Sequence, residues 1–217
     1  MSRVTRVTHA RAERAALCDL LDDLGPDAPT LCEGWTTADL AAHLVLRERR
    51  LDAAGGIAIP ALAGYTASVQ DRIKSGRSYR EVVDAVRQGP PKWTPYGFIP
   101  GLDNTVNTLE FLVHHEDVRR AQPGWEPREL PDDLSETVWK RLASGGRFMF
   151  RRAPVGVVLR HTDGRRAGAK MAEPHVVVTG DPAELLMYAF GRQAHARVTC
   201  EGDPMSIARL NAAQLGA

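Results

Sequence analysis

The stretch Asn104 to Arg120, NTVNTLEFLVHHEDVRR, holds Glu110, His114, His115, Glu116 and Asp117 within one segment. Val106, Leu109, Leu112, Val113 and Val118 recur at helical spacing, so the stretch predicts a helix with a buried stripe. Glu110 and His114 are four residues apart and stand one turn above each other on that helix. A carboxylate and an imidazole in this relation can ligate one divalent ion, as histidine pairs at the same spacing do. Asp117, three residues further on, shares the face and is placed to orient His114 from a second shell. His115 and Glu116 point elsewhere, toward solvent or a second domain. The plainer alternative is a surface pair or a satisfied core histidine, because two ligands do not close a metal site. A third ligand on another helix decides between these readings.

His43 is the residue that can supply it. Thr36-x-x-Asp39 reads as a capping-box start, with Asp39 also favoured at the positive end of the helix dipole. The helix that begins near Thr37 carries Leu40, Ala41, His43, Leu44 and Leu51 on its apolar side. His43 lies three residues after Leu40, on the inward face, with no companion charge within one turn. A buried imidazole needs a partner, so one must come from elsewhere in the fold. In helical bundles, metal sites are built from side chains of facing helices. His43, Glu110 and His114 together make a two-histidine, one-carboxylate set, the ligand type of an open catalytic zinc or of another divalent metal. Three protein ligands leave a position for water or substrate.

The rest of the chain must position these residues. At 217 residues it is long enough for one large domain or two small ones. A first helix is expected from about Thr8 to Leu24, with Leu17, Cys18, Leu20, Leu21 and Leu24 inward, stopped by Gly25-Pro26. After the helix that carries His43, Gly55-Gly56 and Pro60 mark a break, and a short helix is expected around Val69 to Ile73. Ser78-x-x-Glu81 is a second capping box, opening a helix from Tyr79 to Gln88 that Gly89-Pro90-Pro91 breaks. KWTPYGFIPGLDN, Lys92 to Asn104, is too apolar for a solvated linker; it either packs onto the bundle or covers part of a pocket. With the stretch from Asn104, this makes an antiparallel four-helix bundle.

The pattern changes after Pro123. GWEPRELPDDL reads as a linker, which sets the domains at 1–125 and 126–217. A short helix is expected over Glu136 to Leu142. From Val155 the hydrophobic period drops to two, with Asp163-Gly164 as a hairpin turn between two strands. His175 to Thr179 is a third strand and Ala196 to Cys200 a fourth. Asp181 and Pro182 open a helix over Ala183 to Phe190, and Pro204 to Leu215 closes the chain. This half is a small α+β domain, so the fold class of the whole is α+β.

Composition excludes several function classes. Lys+Arg total 28 and Asp+Glu 27, a balance that argues against nucleic-acid binding driven by phosphate attraction. Arg47, Arg49 and Arg50 read as a solvated helix face. No apolar run approaches the ~20 residues of a membrane span, and the N-terminus has no apolar core of a secretory signal. Cys18, Cys32 and Cys200 form no CxxC pair and suit reduced thiols in the cytoplasm. Either a monomer or a homodimer is compatible with the charge balance.

Two motifs carry a resemblance. LCEGWTTADLAAHL (Leu31 to Leu44) and LEFLVHHEDVRRA (Leu109 to Ala121) resemble the DinB-like metal-binding superfamily and, within it, the mycothiol-dependent maleylpyruvate isomerase family. The first matches that family's Cys-x-Gly-Trp-Thr, Asp-Leu and His; the second matches its Glu-x-x-x-His-x-x-Asp-x-x-Arg. GDPAELLMYAFGR (Gly180 to Arg192) and CEGDP (Cys200 to Pro204) are similar to the small α+β domain that follows the bundle there. The resemblance implies that His43, Glu110 and His114 bind the metal, zinc or another divalent ion. It further implies an enzyme that uses a low-molecular-weight thiol such as mycothiol on a small electrophile. A thiol at the open position would lose its proton to the cation's field, and the thiolate is the nucleophile. Addition to an activated double bond, rotation and release would make an isomerase; keeping the adduct would make a transferase. The rival class is a non-catalytic protein with a structural, sensory or ligand-binding metal, recognised by a fourth protein ligand closing the site. Cys32, just before the metal helix, is either reactive or, more plainly, a small buried thiol; Trp35 and Trp93 read as bundle packing, Arg192 as a surface residue or one that reaches the cleft, and Asp117 has a salt bridge to Arg119 or Arg120 as its equal alternative.

Overall fold

Thr8 begins the ordered helical unit: its hydroxyl accepts from the Arg11 amide and caps α1 (His9–Leu24). Residues 7–57 and 59–216 are described in the computed structural model, and the chain divides into two compact units, Met1–Trp125 and Glu126–Ala217. Gly25, at φ 77°, ends α1 in a conformation that a side chain would strain. In α2 (Thr37–Arg49), Asp39 accepts from both the amide (3.0 Å) and the hydroxyl (2.9 Å) of Thr36. Asp39 also receives Lys74 Nζ at 2.6 Å from α4 (Ala63–Ser75). The short α3 (Leu51–Ala54) follows α2, so Leu51 lies beyond the expected helix and is exposed rather than inward. α4 is thirteen residues long where only a short helix around Val69 to Ile73 was expected. Gly56 lets it approach: a Cβ there would meet Thr66 and the Leu62 carbonyl.

α5 (Tyr79–Arg87) keeps its capping box, with Ser78 N donating to Glu81 at 2.8 Å. α6 (Pro95–Phe98) is a single turn, and α7 (Leu102–Arg119) is the long helix of the chemistry-bearing stretch. α1 packs against α7 and α5, and α2 against α4 and α5. Their apolar faces meet in one cluster built on Leu17, Leu21, Leu40, Leu44, Val83, Val86 and Phe111. Each such side chain contributes about 1.5–3 kcal/mol on burial. Cys18 sits in the same cluster, fully buried, and burial pushes its thiol up to about 12. We expect a thiol-reactive disulfide reagent to label Cys18 only after denaturant is added. Labelling of the native protein at the rate of the half-buried Cys32 would contradict this packing.

The Lys92–Asn104 segment is tied to α1 at its end, where Asp103 accepts from Arg14 (2.9 Å) and Asn104 from the Ala10 amide (3.2 Å). Only Thr94 is buried, capping α6, while Trp93 is 70% and Phe98 77% exposed. Val106 is also exposed, although its neighbour Asn107 is fully buried.

In the second unit, α8 (Asp132–Met149) is eighteen residues long rather than the short helix expected over Glu136 to Leu142. Asp132 and Asp133 favour an earlier start at its positive end. It also runs through Gly145-Gly146, because Gly146 lies against Ala169 of the sheet, where a Cβ would sit at 3.1 Å. β1 (Gly156–His161) and β2 (Arg166–Lys170) form an antiparallel hairpin, turned by Gly164 at φ 94°. β3 (His175–Gly180) runs parallel to β1, and the short β4 (Thr199–Glu201) closes the order β2-β1-β3-β4. Val157, Leu159, Val176 and Val178 are fully buried beneath α8 and α9 (Pro182–Ala189). Asp181 occupies the N-cap of α9, but its carboxylate accepts from Thr162 (2.6 Å) instead of the helix's own amides. α10 (Pro204–Asn211) ends before the expected Leu215. The architecture is therefore α+β, a helical N-terminal region followed by a small four-stranded unit. No helix among the described residues is long and apolar enough to cross a membrane.

Candidate metal centre

The capping box of α2 sets the phase that turns His43 inward, and α7 supplies the groups it meets. His43 is 7% exposed, and its Nε2 lies 3.9 Å from Glu110 Oε1. Glu110 Oε1 is 3.2 Å from His114 Nε2, one turn along α7. The two imidazole rings stand edge to face with centroids 5.6 Å apart, and Trp35 lies 5.0 Å from His43. One donor atom from each of His43, Glu110 and His114 falls within 4.8 Å of the others. Zinc–ligand bonds near 2.0–2.1 Å place tetrahedral ligand atoms about 3.3 Å apart, so the 3.2 and 3.9 Å separations suit a shared ion. No further His, Cys, Asp or Glu joins this group among the described residues.

On the other side of the His114 ring, Nδ1 is 3.1 Å from Asp117 Oδ2. Asp117 is fully buried. Its position leaves Nε2 turned toward Glu110 and His43, the relation in which a carboxylate orients a ligating histidine. Cys32 Sγ lies 3.3 Å from the same Asp117 oxygen and 3.9 Å from His114 Nδ1. Cys32, His114 and Asp117 thus form a second group of metal-capable atoms. The two groups share one imidazole, through opposite nitrogens. The sequence favours a small buried thiol at Cys32 over a reactive one; the loop before α2 brings it to α7. Its signal was proximity to the His43 helix, which by itself names no partner.

Burial would raise the Glu110 carboxyl, but hydrogen bonds from His114 and His43 and the charges of His114 and Arg47 hold it well below the carboxylate range. Burial lowers His43 and favours its neutral form. For His114 burial acts the same way, but Asp117, Cys32 and Glu110 outweigh it and lift the imidazole well above its usual value. A divalent ion at Nε2 would need the neutral ring, so its binding would displace the proton that Asp117, Cys32 and Glu110 favour on His114.

Three expectations are corrected here. Arg47 is not on a solvated face: its Nε is 3.1 Å from Glu110 Oε1 and its Nη1 donates to Asn107 at 2.5 Å. His115 is buried, with Nδ1 3.0 Å from Glu13 Oε2 on α1. Glu116 is also buried and accepts from Arg119 (2.9 Å) and Arg120 (2.7 Å). The cause is common to the last two: every residue from 111 to 118 is buried, so α7 has no solvent face over that span.

The chain is a helical unit followed by a small α+β unit. The same arrangement is found in a crystal structure of the mycothiol-dependent maleylpyruvate isomerase, with a TM-score of 0.59 at 19% identity over 94% of this chain and 95% of that one. A mutant of that enzyme, with a histidine changed to alanine, is similar at 18% identity and a TM-score of 0.58, with the same coverage. The family described as "Mycothiol maleylpyruvate isomerase N-terminal domain" matches residues 7–119, and the chain belongs to it. No protein of curated function matches the chain.

Proposed function

We propose that this chain is a metal-dependent enzyme that uses a low-molecular-weight thiol, such as mycothiol, to isomerise a small electrophile or to add to it. The observation that carries the reading is the convergence of His43, Glu110 and His114 from two helices, with donor atoms within 4.8 Å. These residues would hold zinc or another divalent ion. When bound, such an ion supplies Lewis-acid polarisation that favours loss of a thiol's proton. Asp117 holds the His114 ring so that Nε2 faces the ion. Arg47 Nε lies 3.1 Å from the same Glu110 Oε1 and balances the charge of the carboxylate. With three protein ligands, a coordination position stays available to thiol or water, which favours catalysis over a closed structural site. Family membership supports the thiol and the isomerisation chemistry. The free cysteines suit a reducing cytoplasm.

The test is consumption of thiol with model electrophiles bearing an activated double bond, in the zinc-loaded protein and after chelation. We expect turnover that chelator abolishes and added zinc restores. Equal turnover in both samples would refute the metal-dependent reading, and metal binding with no thiol chemistry would favour the non-catalytic alternative.

A further inference from the structure

His114 presents its two ring nitrogens to two different sets of groups, and the set at Nδ1 includes a thiol that the chemistry above does not use. Cys32 Sγ lies 3.3 Å from Asp117 Oδ2, which lies 3.1 Å from His114 Nδ1; Sγ and Nδ1 are 3.9 Å apart. Bonds of about 2.3 Å to sulfur and about 2.0–2.1 Å to nitrogen or oxygen, at tetrahedral angles, separate ligand atoms by about 3.3–3.6 Å. The three atoms therefore close around one cation with only small shifts.

The turn that carries Cys32 is fastened to α7. The Leu31 amide donates to the Asp117 carbonyl at 3.0 Å, and Gln122 donates to the Pro29 carbonyl at 3.0 Å. Within the turn, the Trp35 amide donates to the Cys32 carbonyl at 2.9 Å, and the Thr30 hydroxyl accepts from the Cys32 amide at 3.2 Å. The thiol is thus held in place by its backbone, as a preorganised ligand must be. Asp117 is fully buried and His114 nearly so, which leaves the half-buried Cys32 as the solvent-facing member of the set.

The two sets differ in softness. A thiolate favours soft cations, whereas His43, Glu110 and His114 Nε2 offer only nitrogen and oxygen. A neutral imidazole has one N–H and one lone pair, so the ring ligates one ion at a time. An ion on Nδ1 leaves the ring proton on Nε2, where the other set needs a lone pair.

We propose that Cys32, Asp117 and His114 Nδ1 form a second cation site, selective for a soft divalent ion such as cadmium and filled at the expense of the first. On binding, the Cys32 thiol gives its proton to solvent, the ring proton resides on Nε2, and no electron is transferred. The site itself needs none of the thiol chemistry proposed above; its competition with the first site rests on the metal reading.

The test titrates cadmium into the full chain carrying Cys200→Ser, which removes the other half-buried thiol, and follows the ultraviolet thiolate-to-cadmium charge-transfer band. One equivalent is expected to develop the band in this parent and with His43→Ala added, and none with Cys32→Ser. Asp117→Asn, which keeps the side chain's shape, is expected to weaken cadmium roughly 10–100-fold. For a lone thiol, loss of the neighbouring carboxylate charge would leave the affinity unchanged or raise it. Cadmium added to the zinc-loaded parent is expected to release zinc mole for mole to a chromogenic chelator, and the Cys32→Ser variant to keep its zinc at the same cadmium concentration. A band that survives Cys32→Ser, undiminished affinity in Asp117→Asn, or zinc that stays bound while the band develops would overturn the inference. A chain that forms the Cys32-dependent band but takes up no zinc would strike the metal reading and leave the cysteine site standing.

Discussion

His114→Ala is expected to abolish zinc retention, and His43→Ala to lower it by more than any change outside the ligand set. His114 is the pivot, because Glu110 approaches its Nε2 at 3.2 Å and Asp117 its Nδ1 at 3.1 Å. Removing the ring therefore deletes one ligand and leaves the Glu110 and Asp117 carboxyl groups without the imidazole that each contacts. His43 approaches from α2, and among the described residues no further metal-capable group joins it with Glu110 and His114. Asp117→Asn keeps the shape but weakens orientation of the ring, and a loss of roughly 10–100-fold in zinc affinity is expected. Competition against a chromogenic chelator measures all three on one scale. Retention of zinc at wild-type affinity in both histidine variants would show that the ion, if bound, sits elsewhere. Full retention in His43→Ala with loss in Cys32→Ala would instead locate it on the opposite nitrogen of His114.

The second large effect lies behind the centre. Arg14 is buried on α1, where its Nη2 donates to Glu48 (2.5 Å) and Asp103 (2.9 Å) and its guanidinium covers the Phe111 ring at 4.4 Å. Asn107 donates to Glu48 at 3.1 Å and accepts from Arg47, which reaches Glu110. Glu48 is 1% exposed, so Glu48→Leu leaves a buried guanidinium with a partner missing. Destabilisation of about 3–5 kcal/mol is expected, read as a shift of the urea midpoint of the helical signal. Adding Arg14→Met should restore much of it, because apolar pairs of similar volume often replace buried ion pairs without loss. A shift below about 1 kcal/mol for Glu48→Leu alone would show that Asp103 and Asn107 suffice to satisfy Arg14. Since the network ends on Glu110, the variant should also loosen zinc binding, but less than the ligand changes.

Much of this was legible in one dimension, for local physical reasons. Thr36 with Asp39 and Ser78 with Glu81 place helix starts through contacts three residues apart, which spacing alone reveals. The four-residue step from Glu110 to His114, and the three-residue step to Asp117, are properties of any α-helix and needed no tertiary information. His43 was readable as an inward imidazole that lacked a partner. The lengths of α4 and α8 were not readable, because Gly56 and Gly146 break the local pattern yet serve close packing with distant segments.

Which groups meet across elements was decided by tertiary packing. Sequence periodicity assumes a helix with one wet face, but α7 is enclosed over residues 111–118, so His115 and Glu116 found buried partners instead of water. Arg47 looked like a surface cation until the crossing of α2 and α7 set it against Glu110. Cys32 gained its neighbours through the loop that precedes α2. Donor type and spacing along one helix are encoded by the residues themselves. The approach of His43 to within 3.9 Å of Glu110 comes from packing of two helices far apart in sequence, and no period along the chain contains that distance.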